Sequence, residues 1–402
     1  MTDSNSGISP GSQRQMEIYK AGLAGKTPGQ PISVEELERK AKSQLKPEAF
    51  DYLAGGAGSE ETMRANREAF RRWRIVPRLL RNVARRDLGV DILGQRLPAP
   101  LMLAPIGVQS IFHKEAELAV ARAARALWIP FILSTVSSRT IEEVAAEMGD
   151  IPRWFQLYWS RSNELAASFL HRAEQAGYGA IVVTLDTCLF AWRERDLQNA
   201  YSPFLLGEGL ANYFSDPVFR DTLGADPRKE PERAIAYVGA IYSDPSRTWD
   251  DLAHLRQNTK LPILLKGILD PDDARRAVDH GMAGVIVSNH GGRQLDGAIA
   301  AIDALPRVVD AVGDRTTVLF DSGIRRGADV IKAMALGARC VLLGRPYCFG
   351  LAVDGEQGVR EVVSNLLADL DLTLGLVGCA SFAELSRTSL EEALVASTSA
   401  YS

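Results

Sequence analysis

Gly284-Val285-Ile286-Val287-Ser288-Asn289-His290-Gly291-Gly292-Arg293 is the stretch on which the reading of this chain turns. Its first four residues read as a strand buried on both faces, and the polar run after them as a loop at the strand's C-terminal end. Working outward, short apolar runs recur at 100–104, 130–134, 154–158, 180–184, 262–266, 317–321 and 340–344. Helical patterns separate most of them, at 115–127, 139–148, 162–176, 249–258, 271–280, 301–312 and 326–336. Strands of this kind alternating with helices predict an α/β chain folded as a closed parallel (β/α)8 TIM barrel. An open doubly wound sheet is the architectural alternative.

Composition narrows the function classes. The 402 residues are 46% hydrophobic with a net charge of −4, acids and bases interspersed and no basic block. That argues against nucleic acid or an anionic membrane surface as partner. There is no apolar run of membrane-spanning length and no signal-like start, so a cytoplasmic protein is expected. Cys188, Cys340, Cys348 and Cys379 are scattered, without a CxxC pair, which suggests neither a disulfide framework nor a zinc site. Residues 1–30 show no sustained period and read as a mobile tail ahead of an N-terminal helical extension that starts at Ser33-Val34-Glu35-Glu36. The barrel is expected over 31–375, and a C-terminal helix and tail over 376–402. One spacing breaks the rhythm: about 187–248, after the fourth strand, is far too long for an ordinary connection. Its many aromatic residues suggest an ordered, partly mobile lid over the barrel mouth.

In such a barrel the reactive groups sit at the C-terminal strand ends. Read in order, those ends carry Pro105-Ile106-Gly107, Ser134, Gln156 and Tyr158, Thr184 and Asp186, Lys266, Ser288 and His290, Asp321-Ser322-Gly323-Ile324-Arg325, and Gly344-Arg345. A His and an Arg three residues apart suit oxidation of a carboxylate-bearing substrate, one taking a proton and the other gripping the acid. Gly323 with Arg325 and Gly344 with Arg345, on the last two strands, predict a phosphate site. Gln156, Thr184 and Ser134 around the mouth, with Lys266 beneath, then suggest a phosphorylated planar cofactor. No strand–GxGxxG–helix unit supports a dinucleotide. Asp270-Pro271-Asp272-Asp273 reads as a helix start and not as a metal site. His113, His171, His254 and His280 carry no visible partner.

As a set these residues resemble the FMN-dependent L-2-hydroxy acid oxidising family, which includes glycolate oxidase, lactate oxidase and lactate 2-monooxygenase. The resemblance runs from about Tyr52 to Arg345. It rests on SNHGGRQLD at 288–296, with APIG at 104–107, FQLY at 155–158, TLDT at 184–187, LKG at 265–267 and FDSGIR at 320–325. The long insertion and the sequence DTCLFAWRERDL look most like lactate 2-monooxygenase. The resemblance implies FMN contacts from Pro105, Ile106, Gly107, Ser134, Gln156, Tyr158, Thr184, Lys266 and Ser288. It puts the FMN phosphate on Gly323, Arg325, Gly344 and Arg345, with Asp321, Ser322 and Ile324 in the same run and Asp321 on the ribityl chain. It makes His290 the base, oriented by Asp186, with Tyr52, Arg193 and Arg293 on the substrate carboxylate and Tyr158 on its hydroxyl. A homotetramer or homo-octamer is likewise implied.

The expected reaction is oxidation of a small L-2-hydroxy acid, L-lactate first, with O2 as acceptor. Gly107 should leave room beside the flavin's reactive edge. With a long lid holding the keto acid, that favours the monooxygenase outcome of acetate, CO2 and water over release of pyruvate and H2O2. Val136 is expected to border the side-chain pocket and Tyr242 to close over the substrate. A dehydrogenase with another electron acceptor and a silent flavin-binding barrel are the competing readings. The joint presence of His290, Arg293, Asp186, Tyr158 and Lys266 speaks against the latter.

Overall fold

The computed structural model describes residues 9–393. Eight parallel strands close into a barrel: β1 (Leu101–Leu103), β2 (Phe131–Ser134), β3 (Arg153–Tyr158), β4 (Ile181–Thr184), β5 (Ile263–Ile268), β6 (Gly284–Val287), β7 (Thr317–Phe320) and β8 (Cys340–Leu343). Pairing of Val341 with Leu101 joins β8 to β1, which excludes the open sheet. The register sets polar strand ends side by side, Ser134 opposite Gln156, Tyr158 opposite Thr184 and Thr184 opposite Lys266. A site at this rim therefore follows from strand pairing alone.

Alternate strand residues face two apolar layers. Leu133, Phe155, Val183, Leu265 and Val285 pack outward against the helices, while Met102, Ile132, Trp154, Val182, Leu264, Ile286 and Leu319 fill the interior. Each fully buried aliphatic side chain of this kind contributes about 1.5–3 kcal/mol. A hairpin of Val90–Ile92 and Gln95–Leu97 adds Ile92 and Leu97 to the interior layer.

Two sequence expectations need correction or refinement. Within the segment read as a tail, Pro10–Leu23 forms a helix capped by Ser9 and packed on the long helix Arg345–Val377. Gly11 N–H donates to Asp371 (2.9 Å), and Arg14 pairs with Glu361 and with Asn365 (3.1 Å). These polar anchors lie some three hundred and fifty residues away in sequence, so no local period announces them. The C-terminal helix ends at Val377 with Gly378 in the left-handed region. Beyond it the chain runs through short turns into a strand, Leu390–Glu392, paired with Trp73–Ile75. Residues 1–8 and 394–402, at the ends of the two expected tails, lie outside the described residues.

The lid is built of short helices, Glu194–Gln198, Ala211–Ser215, Pro217–Leu223 and Pro231–Ile241, with a 3-10 turn at Pro203–Leu206. It docks through Asn212, fully buried, whose amide accepts from Ile141 N–H (2.9 Å) and donates to the Thr135 carbonyl (3.0 Å). Among the described residues no helix is long and apolar enough to cross a membrane.

Candidate active site

The C-terminal rim opens into a cleft of about 1030 Å³, floored by the strand ends and walled by the helix Pro47–Ala54 and the lid. Its lining takes in Tyr52, Pro105, Ile106, Gly107, Tyr158, Arg193, Lys266, His290 and Arg293, together with Asp321 to Arg325, Gly344 and Arg345. Asp186 stands directly behind His290. Ser134, Gln156, Thr184 and Ser288 do not line the cleft surface. They are buried at the strand ends, Gln156 accepting from Ser134 (3.1 Å) and donating to Thr184 (2.9 Å).

The His290 loop is held by an unusual backbone. His290, Gly291 and Gly292 all have positive φ (58°, 64° and 76°), a conformation costly for a non-glycine residue. Ser322 Oγ accepts from Gly291 N–H (3.0 Å), and Ser288 Oγ accepts from His290 N–H (3.0 Å). Beneath them Asn289 and Asn66 exchange two amide hydrogen bonds (2.8 and 2.7 Å). Asn66, on the helix Glu61–Arg72, had no motif to mark it.

His290 Nδ1 lies 2.8 Å from Asp186 Oδ1. A carboxylate there accepts from Nδ1–H, which fixes the tautomer and leaves Nε2 as the acceptor. Burial pushes the imidazole below its ordinary value, Asp186 opposes this and Lys266 adds to it, with a net lowering. Burial alone would raise the Asp186 carboxyl, but the imidazole and then Lys266 outweigh it, so the group ends below the usual range. The pair is thus neutral imidazole beside carboxylate at neutral pH, a base ready to accept one proton. Asp186 comes this close because β5 bulges at Gly267 (φ 105°), where an added Cβ would lie 2.9 Å from Asp186 Cβ.

Lys266 is buried, donates to Ser288 Oγ (3.0 Å) and pairs with Asp321 (3.4 Å). Arg293 donates to the carbonyls of Tyr52 (2.6 Å) and Gly55 (2.8 Å), with its guanidinium 5.0 Å from the Tyr52 ring centre. Arg193 reaches the Arg293 carbonyl (3.2 Å) and Gln294 (2.9 Å), while its neighbour Arg195 takes Glu60 (2.7 Å). Arg195 makes the shorter ion pairs of this cluster, while Arg193 keeps Asp196 at 4.0 Å and also lines the cleft.

The cleft holds more cationic charge than its walls balance. Among the described residues Arg293, Arg325 and Arg345 have no carboxylate within ion-pairing distance; their hydrogen bonds go to carbonyls. Burial first, and neighbouring cations second, push them down, Arg293 and Arg325 to about 10 and Arg345 to about 9. Arg193 adds to this at Arg293, Arg67 at Arg325 and Arg293 at Arg345. Guanidinium groups stay protonated in proteins, so this crowding is relieved by anions. Two anions of different kinds fit, a phosphate near Arg325 and Arg345 and a carboxylate near Arg193 and Arg293.

The chain matches the family model described as FMN-dependent dehydrogenase over residues 41–392. The chain belongs to the FMN-dependent 2-hydroxy acid oxidase family. It is 46% identical over 377 residues to an FMN-dependent alpha-hydroxy acid dehydrogenase, qulF, of Penicillium citrinum, spanning 93% of this chain and 94% of that one. It is 44% identical over 360 residues to an L-lactate oxidase of Lysinibacillus sphaericus, spanning 90% and 92%. The crystal structure of a mandelate oxidase superposes with a TM-score of 0.80 at 40% identity, covering 91% of this chain and all of the other. The family's cofactor, FMN, carries both a phosphate and a flat polar ring. That chemistry fits the unbalanced arginines, Lys266 and the buried Ser134–Gln156–Thr184 chain.

Two features differ from expectation or were not foreseen. Gly107 does not owe its identity to open space, because an added Cβ would stand 2.5 Å from Val136 Cγ2 and closer still to the Val136 carbonyl oxygen. The glycine is required by the loop Val136 belongs to, whose carbonyl also accepts from Val108 N–H (2.8 Å). The mouth wall is aromatic: Phe190 stacks on Tyr242 (5.0 Å, 13°), and Phe204 lies 6.0 Å from Tyr242. Tyr242 also contacts Tyr158 (5.4 Å), and Val136 lines the same cleft. Nothing in sequence spacing tells Phe190 and Phe204 apart from the other lid aromatics.

Proposed function

We propose that this FMN-dependent 2-hydroxy acid oxidoreductase oxidises an L-2-hydroxy acid to the 2-keto acid, with O2 reduced to H2O2. The observation that carries the reading is the His290–Asp186 pair, 2.8 Å apart, in one cleft with Arg193, Arg293, Tyr52 and Tyr158. Arg193 and Arg293 bind the substrate carboxylate, with the Tyr52 hydroxyl beside them. Burial raises the Tyr158 hydroxyl well above its usual range, so it stays a hydrogen-bond donor and acceptor at the substrate's own hydroxyl. His290 Nε2 takes the proton released as C2 is oxidised, and Asp186 stabilises the imidazolium that results. FMN, when bound, would supply the two-electron redox chemistry that links substrate oxidation to O2. Arg325, Arg345, Gly323 and Gly344 would hold the phosphate, and Asp321 the ribityl chain. Lys266 would supply positive charge to a reduced ring, Pro105, Ile106 and Gly107 would border the ring from the cleft, and Ser134, Gln156, Thr184 and Ser288, buried at the strand ends, would offer polar atoms from behind that lining.

Names among the relatives, an L-lactate oxidase and an alpha-hydroxy acid dehydrogenase, support an L-2-hydroxy acid with an apolar side chain, L-lactate being the simplest. A second reading, lactate 2-monooxygenase, draws on the buried Tyr242 and the docked lid, which favour retention of the keto acid; it can no longer draw on room at Gly107. Aerobic turnover of L-lactate, with peroxide, pyruvate and acetate measured together, decides between them. One peroxide per pyruvate supports the oxidase, and acetate without peroxide the monooxygenase. An unbleached flavin under anaerobic L-lactate and its homologues would refute both.

A further inference from the structure

The aromatic wall of the cleft has a second side. Phe190, Phe204 and Tyr242 line the active-site cleft and also a separate groove of about 670 Å³ within the lid. The rest of that groove is Leu205, Leu210, Ile235, Val238 and Gly239, with Ser202 and the Tyr242 hydroxyl as its polar side-chain groups. It runs between the turn Pro203–Leu206 and the helix Pro231–Ile241. Phe190 and Leu205 are more than half exposed (59% and 72%) although they flank it. Gly239, an exposed residue of that helix that also lines the groove, has no heavy atom within 4 Å of where a Cβ would be, so a side chain can be added there without a clash at its Cβ.

We propose that this groove is a distal subsite for the hydrocarbon end of the substrate, so that the chain prefers straight-chain L-2-hydroxy acids of about six to ten carbons over L-lactate. The inference rests on the functional reading above and names its substrate class. The polar head is fixed by the arginines and His290, and the side chain leaves in the direction of Val136 and the aromatic wall. An apolar tail long enough to pass Phe190 and Tyr242 meets a surface without charged groups. There each methylene withdrawn from water gains about fourfold in binding. A lactate methyl reaches none of it. The partly exposed Phe190 ring is the side chain free to move aside.

The test uses the FMN-loaded protein and two readouts. Anaerobic stopped-flow bleaching gives kcat/KM for L-2-hydroxy acids from three to ten carbons. The visible spectrum of the oxidised flavin gives Kd for unreactive straight-chain carboxylates of the same lengths. The variants are Gly239→Phe, which fills the groove, and Ile235→Asn, which makes its wall polar. The expected result is a gain of at least tenfold from three to eight carbons in both readouts, reduced at least fivefold in each variant while L-lactate changes by less than twofold. A flat or falling series in the wild type overturns the subsite. So does a rising series that both variants leave intact. If carboxylate affinity rises with length but no 2-hydroxy acid bleaches the flavin, the subsite stands and the functional reading falls.

Discussion

Replacing Asp186 with Asn isolates the electrostatic part of the His290–Asp186 pair. The amide keeps an oxygen where Oδ1 accepts from Nδ1 at 2.8 Å, and it puts its NH2 where Oδ2 has no hydrogen-bond partner. What disappears is one negative charge beside an imidazole that must become cationic. The gap between a charge-assisted and a neutral hydrogen bond, about 1–1.5 kcal/mol, sets the lower bound of the loss. The upper bound comes from two full charges about 4 Å apart at an effective dielectric of about 20, worth about 4 kcal/mol. At about 1.4 kcal/mol per tenfold, Asp186→Asn slows flavin reduction by about 10 to 10³-fold.

The pH profile adds a signed check. His290 lies below a free imidazole, so its neutral form is the resting one at pH 7, and kcat/KM declines only as pH falls through that lowered value. Asp186 is the main influence raising it. Without that charge the acidic limb therefore moves to still lower pH, even though the rate on the plateau is smaller. Anaerobic stopped-flow at 450 nm from about pH 5 to 8 measures both quantities on one sample. A variant that reduces its flavin within twofold of wild type, or whose limb moves to higher pH, would refute the assignment of His290 as the base and Asp186 as its partner.

Lys266→Met leaves Asp321 buried beside only the Ser322 hydroxyl; flavin reduction should slow by at least about 10²-fold, and an unchanged rate removes Lys266 from the chemistry. Gly107→Ala forces a methyl against the Val136 backbone; it should cost about 1–3 kcal/mol and lower the holoenzyme's Tm by several degrees, whereas an unchanged Tm means the Val136 loop yields freely. Asn66→Ala removes both of its hydrogen bonds to the Asn289 amide, which keeps the Ile299 carbonyl and Gly292 N–H as partners; calorimetry should report a loss of about 1–3 kcal/mol, with slower flavin reduction because the His290 loop loses one of its anchors. A lower Tm with unchanged reduction would show that Ser322 and Ser288 hold the loop on their own.

The barrel and its rim were legible because both are written locally. A run such as Val285-Ile286-Val287 is apolar on both faces wherever it sits, and in a closed parallel barrel its end must point to the common mouth. Hence Lys266, the His290–Arg293 loop and Arg345 could be placed together from the sequence though three separate stretches of chain supply them. The N-terminal helix and Asn66 depend instead on partners hundreds of residues away, and polar residues that find buried partners look in sequence like residues that face water.

The lid was legible as an ordered cover, but its internal structure was not, for a different reason. Its helices run five to eleven residues, too short for an apolar stripe to declare a face. Tyr213 and Phe219 point into packing while Phe190 and Phe204 point at the cleft, and their composition is the same. Gly107 shows the converse error: a glycine beside a reactive centre suggests space, yet the missing side chain is accounted for by a carbonyl from the neighbouring loop. Strand ends can thus disclose which chemistry a barrel of this family performs, because catalytic groups differ in kind from the residues around them. In the subsite proposed above, the choice among substrates would rest on lid aromatics that differ from packing residues only in direction, which is why chain-length selectivity, and not the identity of the base, is the property that has to be read from the folded lid.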